Sequence, residues 1–431
     1  MKRLLAALGL ALAVWALTIV SSAGQAAINV DSADAVNQFP NGVTFSISLH
    51  SDSEISKVQF RYTVPPDGTN VYEAPECTSG ASVKCTYNLK SGPKLFLVPG
   101  ANVVYHWQAE DAAGDTLETE PATFVYEDDR FHWKSVSDGN LTLWYYSGSE
   151  SEVRPLLQTG VEGLQRMEDL LATSVGFPVK VYVYATAEDM RPATLSTQDT
   201  PAGVITLGEV YFSDTAVVSE DEVPQDVLRH ELAHIVTRQA VKGPFGNLPA
   251  WLDEGTAVYA QANRLSDEED ALNLAIKSNN VLSLRSMSSA SVGLSNGNVS
   301  LFYGEAWSLV SFLVNDYGAD KLAGLFAVFK AGSTVDKALL QVYGFDQDGM
   351  ESAWRQSVGL PPKQATPEEG QGIQPLPTLK PLGGDGQQGG DNGQTASTGS
   401  SNRLLLIIIG SAVLGVLVLT AAGVAVARRS R

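Results

Sequence analysis

The sequence predicts a multidomain chain: an N-terminal all-β sandwich, an α+β domain behind it, and a C-terminal transmembrane helix. Three observations carry that expectation. Short stretches of alternating apolar and polar residues fill the segment from Ala27 to Asp129, helical spacing over long runs takes over beyond Arg130, and Leu404 to Ala427 holds no charged residue.

With 431 residues the chain can hold two compact domains plus accessory segments. Met1 to Ala26 opens with Lys2 and Arg3, continues from Leu4 to Val20 with Thr18 as its only polar side chain, and reaches small residues at "SSAGQAA". A basic start, an apolar centre and a small-residue exit predict a signal peptide over 1–26, with an uncleaved anchor as the alternative.

In the segment 27–129, "VTFSISLHS", "SKVQFRYTV", "VKCTYNLKS" and "NVVYHWQAEDAAGD" alternate in polarity and are separated by Gly, Pro, Asn and Asp clusters. Several short strands at that spacing, over roughly 100 residues, predict a β-sandwich. The stretch "VVYHWQAEDAAGDTLETEPATFVY" resembles the closing strands of immunoglobulin-like or fibronectin-type domains, a likeness that bears on fold alone. His50 and His106 fall in these strands and read as ordinary strand residues. The two cysteines, Cys77 and Cys85, are close in sequence, so in an exported chain they read as one local disulfide.

Residues 130–360 read as the α+β domain. "LTLWYY" is a strand, and the following helix places Val153, Leu156, Leu157, Leu164, Met167 and Leu171 on one face. "PVKVYVYAT" and "AGVITLGEVYFS" return to strands, and the text from Pro224 to Trp354 is mainly helical. Segment 361–402 is rich in Pro, Gly and Gln and is expected to be a flexible stalk. Segment 403–427 is long enough to cross roughly 30 Å of hydrocarbon, and "RRSR" at 428–431 follows at once, which predicts a cytoplasmic tail and an external body. A buried soluble helix is the alternative, but nothing follows it to bury it. Sortase anchoring would need an LPxTG-type signal where the sequence reads "TASTGSSN".

The formal charge of −19 lacks the basic footprint of a nucleic-acid binder and suits an exposed exterior. The chemistry concentrates in "DVLRHELAHIVTRQ", where His230, Glu231 and His234 form H-E-x-x-H. On a helix, the two imidazoles lie within about 40° of each other and can reach one tetrahedral metal. Pro224 suits the first turn, with Glu222 and Asp226 near its positive end. Leu228, Leu232, Ile235 and Val236 fall on the opposite side. Two surface histidines sharing a helix face are the bland alternative.

A third ligand is on offer in "LPAWLDEGTAVYAQ", which begins a second helix and carries Glu254, twenty residues beyond His234. This arrangement resembles the gluzincin, thermolysin-like zinc metallopeptidases, and the W-L-x-E-G form from Trp251 to Gly255 resembles their peptidase MA-like branch. The resemblance implies a zincin-type fold over about 130–360, one zinc per chain held by His230, His234 and Glu254, and Glu231 as general base towards a zinc-activated water. It makes "LGEVYFSD" the substrate-binding edge strand and "FYGEAWSLVSFLVNDYG" a later helix of the domain. Thermolysin-like members carry an aspartate four residues after the glutamate ligand; that position is Val258 here, which leaves the partner of His230 unassigned. No histidine follows His234, so Tyr303 becomes the candidate oxyanion donor, with Tyr259 and Tyr211 behind it.

The sequence thus points to a membrane-anchored extracytoplasmic zinc metallopeptidase acting on peptides or proteins, without nucleic acid and with an unknown partner for the sandwich. A surface adhesion protein with an inactive peptidase fold is the alternative, and hydrolysis of a non-peptide bond is a third.

Overall fold

The computed structural model describes residues 28–66, 68–195, 204–221, 224–244, 246–289, 299–363 and 416–420. The expected signal peptide, the basic tail and all but the first three residues of the stalk lie outside them. The chain divides into two compact units between Asp129 and Arg130.

The first unit is all β. One antiparallel sheet orders β1 (Ile28–Asn37), β2 (Gly42–Ser51), β6 (Ser82–Lys90) and β5 (Glu76–Cys77). The other orders β4 (Val71–Glu73), β3 (Ile55–Thr63), β7 (Asn102–Asp111) and β8 (Thr116–Glu118), with β9 (Ala122–Val125) also on β7. Alternation on β2 buries Val43, Phe45, Ile47 and Leu49. The Phe45 ring stands 4.9 Å from Phe60 on β3 and 4.5 Å from Tyr105 on β7, so the sheets face one another across an aromatic core. Cys77 and Cys85 sit directly opposite on β5 and β6 and are joined as a disulfide. Strand β1 is not announced by alternation, because it is an outer strand whose residues are mostly exposed on both sides.

The second unit sets a mixed sheet against helices. Its order is β10 (Lys134–Asp138), β11 (Leu141–Tyr145), β12 (Val179–Tyr184), β14 (Thr215–Ser219), β13 (Val204–Tyr211) and β15 (Val416–Thr420). The pairs β11–β12 and β12–β14 are parallel, while β13 runs antiparallel to β14. The helices are α1 (Glu150–Leu171), α2 (Ala187–Met190), α3 (Pro224–Ala240), α4 (Ala250–Ala260), α5 (Ser266–Ser278), α6 (Val299–Tyr317), α7 (Ala319–Lys330), α8 (Val335–Tyr343) and α9 (Gln347–Ser357). The six apolar residues expected on one face of α1 are all buried. Gly160 brings α1 close to α3: a Cβ there would stand 2.7 Å from Leu141 and 3.1 Å from Leu228. Gly255 does the same between α4 and α6, where a Cβ would meet the Ala306 carbonyl oxygen at 2.3 Å. Helix α4 also packs against α3, and that contact builds the site described below.

Only five residues of the span expected to be a transmembrane helix are described. Val416–Thr420, inside the span expected to be helical, is a strand antiparallel to β13. An uncharged, mostly aliphatic run reads the same by hydropathy whether it enters lipid or pairs with a sheet edge. The rest of 403–427 lies outside the described residues, among which no helix is long and apolar enough to cross a membrane.

Candidate metal centre

Helix α3 is buried on nearly every side, not on one stripe. Leu228, Leu232, Ile235 and Val236 pack into the core as their spacing predicts, and His230, Glu231 and His234 are fully buried as well. The histidines face α4. Their Nε2 atoms stand 3.2 Å apart, and Glu254 Oε2 lies 3.5 Å from each. A tetrahedral zinc with bonds of about 2.0–2.2 Å would separate its ligand atoms by roughly 3.3–3.6 Å. The three side chains therefore match one face of such a shell. Among the described residues, no other trio of His, Cys, Asp or Glu converges in this way.

The polar balance of the pocket also calls for a cation. Both oxygens of Glu231 and Oε2 of Glu254 are buried without a hydrogen-bond partner, and 3.5 Å to either imidazole is too long for a sound hydrogen bond. Leaving carboxylate oxygens uncompensated in a protein interior costs several kcal/mol, which a metal ion would offset. The donor set, two imidazoles and one carboxylate, fits zinc with a position left for water.

Each histidine is held differently from behind. His234 Nδ1 donates to Asp253 Oδ1 at 3.2 Å, and that oxygen also accepts from Thr237 Oγ1 at 2.7 Å. Burial opposes ionisation of Asp253, but the His234 charge and the two hydrogen bonds outweigh it and hold its carboxyl at about 2. Asp253 is thus an acceptor only, which keeps a proton on Nδ1 and leaves Nε2 as the ring atom that faces the centre. Burial also works against charge on His234, yet Asp253 and Glu254 raise its pKa well above the ordinary value. His230 lies near the neutral amide of Gln261, whose Nε2 is 3.1 Å from Nδ1, and there burial lowers the pKa.

Glu231 lies under β13. A Cβ at Gly208 would stand 2.6 Å from its Oε1 and 2.7 Å from its Cγ, so the strand passes over the carboxylate only because that residue is glycine. Burial pushes Glu231 well above the usual carboxylate range, with His234 opposing the shift and Glu254 and Glu209 adding to it. Tyr303 does reach the centre. It is buried, its ring is 6.1 Å from that of His230, and its hydroxyl is hydrogen-bonded to Glu254. Tyr211 is engaged elsewhere, accepting from the Leu195 amide at 2.6 Å and hydrogen-bonded to Glu209. The Tyr259 ring carries the Arg166 guanidinium, 5.7 Å from its centroid.

Three parts of the site escaped the sequence reading: Gly208, the Asp253–Thr237 pair, and Gln261. Gln261 had a signal, since seven residues beyond Glu254 returns to within about 20° of the same helix face.

Residues 159–359 match the model of the Peptidase MA superfamily. That match contains all the residues of the centre and supports a zincin-like peptidase domain, preceded by a separate β-rich region. No curated protein matches the chain. One solved structure, titled "Crystal structure of Br derivative BhCBM56", is similar at 16% identity over 22% of this chain and 88% of that one, with a TM-score of 0.17. A likeness at that level carries no argument about fold or function.

Proposed function

We propose that this chain is a membrane-anchored, extracytoplasmic zinc metallopeptidase of the H-E-x-x-H gluzincin type, cleaving peptide or protein substrates. The observation that carries the reading is the triangle of His230 Nε2, His234 Nε2 and Glu254 Oε2, with edges of 3.2, 3.5 and 3.5 Å. Bound there, zinc would supply Lewis-acid activation of a water molecule and of the scissile carbonyl.

The remaining work falls to the chain's own side chains. Glu231 takes the proton of the attacking water and returns one to the leaving amine. Asp253 and Thr237 hold the His234 ring with its proton on Nδ1, so that Nε2 is the atom offered to the metal. Tyr303, one hydrogen bond from Glu254, is placed to exchange that bond for one to the developing oxyanion. An extended substrate would lie along β13, the strand that passes over Glu231 at Gly208.

The anchoring and export rest on the sequence: the basic, apolar and small-residue regions of 1–26, the uncharged run at 404–427 and the terminal "RRSR". Metal analysis of the purified protein tests the centre. One zinc per chain is expected in the wild type and a large loss in His234→Ala; equal zinc in both would exclude this ligand set.

A further inference from the structure

His230 sits where the resemblance supplies no partner, because the position four residues after Glu254 is the buried, apolar Val258. The side chain that reaches it comes from three residues further on. Gln261 ends α4 as its C-terminal cap, with its backbone N–H on the Val258 carbonyl, and is itself buried. As placed, its amide nitrogen lies 3.1 Å from His230 Nδ1, and its Oε1 is buried with no hydrogen-bond partner.

That orientation suits only one state of the ring. An imidazole that offers Nε2 to a metal carries its hydrogen on Nδ1, which must donate. The amide NH₂ donates too, so the two would oppose each other while Oε1 stayed unsatisfied. Turning the amide by about 180° exchanges two atoms of nearly equal size, which ends the clash of donors and gives Oε1 the Nδ1 hydrogen, with the NH₂ moved to where Oε1 stood. We propose that Gln261 is the positioning residue for His230, and that its Oε1 accepts the Nδ1 hydrogen when the centre is loaded.

The amide serves both forms of the ring. Without metal, a hydrogen on His230 Nε2 points towards Glu254, and Nδ1 accepts from the Gln261 NH₂ in the orientation observed. With metal, the same side chain turns and accepts. An ionised carboxylate could only accept, and would add another negative charge to a pocket that already holds Glu231, Asp253 and Glu254. Position 261 therefore takes over the task of the missing acidic residue with a neutral group. His234 relies on the charge of Asp253, while His230 relies on an amide that follows its tautomer.

This inference rests on the metal centre proposed above, and one titration separates the two. Zinc affinity would be measured by chelator competition near pH 7 on the full-length wild type, Gln261→Met and Gln261→Glu, with thermal melts of each metal-free protein. Methionine keeps the length and removes the acceptor, so a 10- to 100-fold loss of zinc affinity is expected, the range typical of lost ligand-supporting partners. Glutamate keeps the acceptor and should bind zinc within about threefold of wild type or more tightly. Unchanged affinity in Gln261→Met would overturn the assignment, as would a tenfold or greater loss in Gln261→Glu, which decides the matter alone if the Met variant fails to fold. A wild type that binds no zinc would overturn the metal centre and this inference with it. Zinc bound equally by all three proteins would leave the centre standing and remove only Gln261.

Discussion

His230 and His234 were legible as a pair because four residues make one helical turn, but what stands behind each ring was not. Asp253 and Gln261 act across the α3–α4 contact, and no spacing rule within one helix announces a partner on another. Gly208 was hidden for a different reason. Its role is the absence of a Cβ above Glu231, and a glycine inside a strand advertises close approach without saying to what. Gly208→Ala should therefore move Glu231 while leaving the three ligands in place. Zinc content should be retained and kcat should fall by about tenfold to a hundredfold, as small misplacements of a reacting group do. Steady-state kinetics on a zinc-replete variant checks this, and wild-type turnover would show that the carboxylate has room to spare. Tyr303→Phe removes one oxygen beside Glu254. If that phenol serves the oxyanion, kcat should drop about a hundredfold with KM little changed. A variant within about threefold of wild type would mark Tyr303 as packing against the ligand.

At the scale of elements, the strands with clean alternation and the helices with a clear apolar face were readable, and the exceptions follow from burial. Helix α3 has almost no exposed face because α1, α4 and the sheet cover it, so amphipathicity understates how deep its histidines lie. Strand β1 is exposed on both sides and lacks a pattern for the opposite reason. The turn after α5 is pinned by Glu305 of α6, whose two oxygens accept the Leu282 amide at 3.0 Å. Burial pushes this carboxyl up to about 8, against about 4.3 in an unfolded chain. The folded state holds the proton more tightly, so this contribution to stability is fully present below about pH 4.3 and is lost as pH rises through about 8. Glu305→Gln keeps an acceptor and cannot ionise. Its urea midpoint should gain on the wild type between about pH 5.5 and pH 8, whereas a constant difference at both would show that Glu305 does not titrate in that window.

For the whole molecule, the division at Asp129 and Arg130 separates an all-β unit from the unit that carries the chemistry. Composition, not periodicity, suggested the ends of the chain, and the structure describes only Val416–Thr420 of the apolar run there. If that run anchors the protein with its body outside, protease added to intact cells should cut the Pro/Gly/Gln-rich segment 361–402 and release the ectodomain. Full protection would reverse the orientation.

The central claim is that His230, His234 and Glu254 hold a zinc ion at which Glu231 drives peptide hydrolysis. Cleavage of a peptide library by the purified full-length protein tests it most directly, with chelator, with zinc restored, and with Glu231→Gln alongside. The account predicts cleavage that chelator abolishes and zinc restores, and a Glu231→Gln protein that retains metal but does not cut, because the amide cannot accept the water's proton. Cleavage that persists in chelator, or a Glu231→Gln variant that keeps most of its turnover, would contradict it.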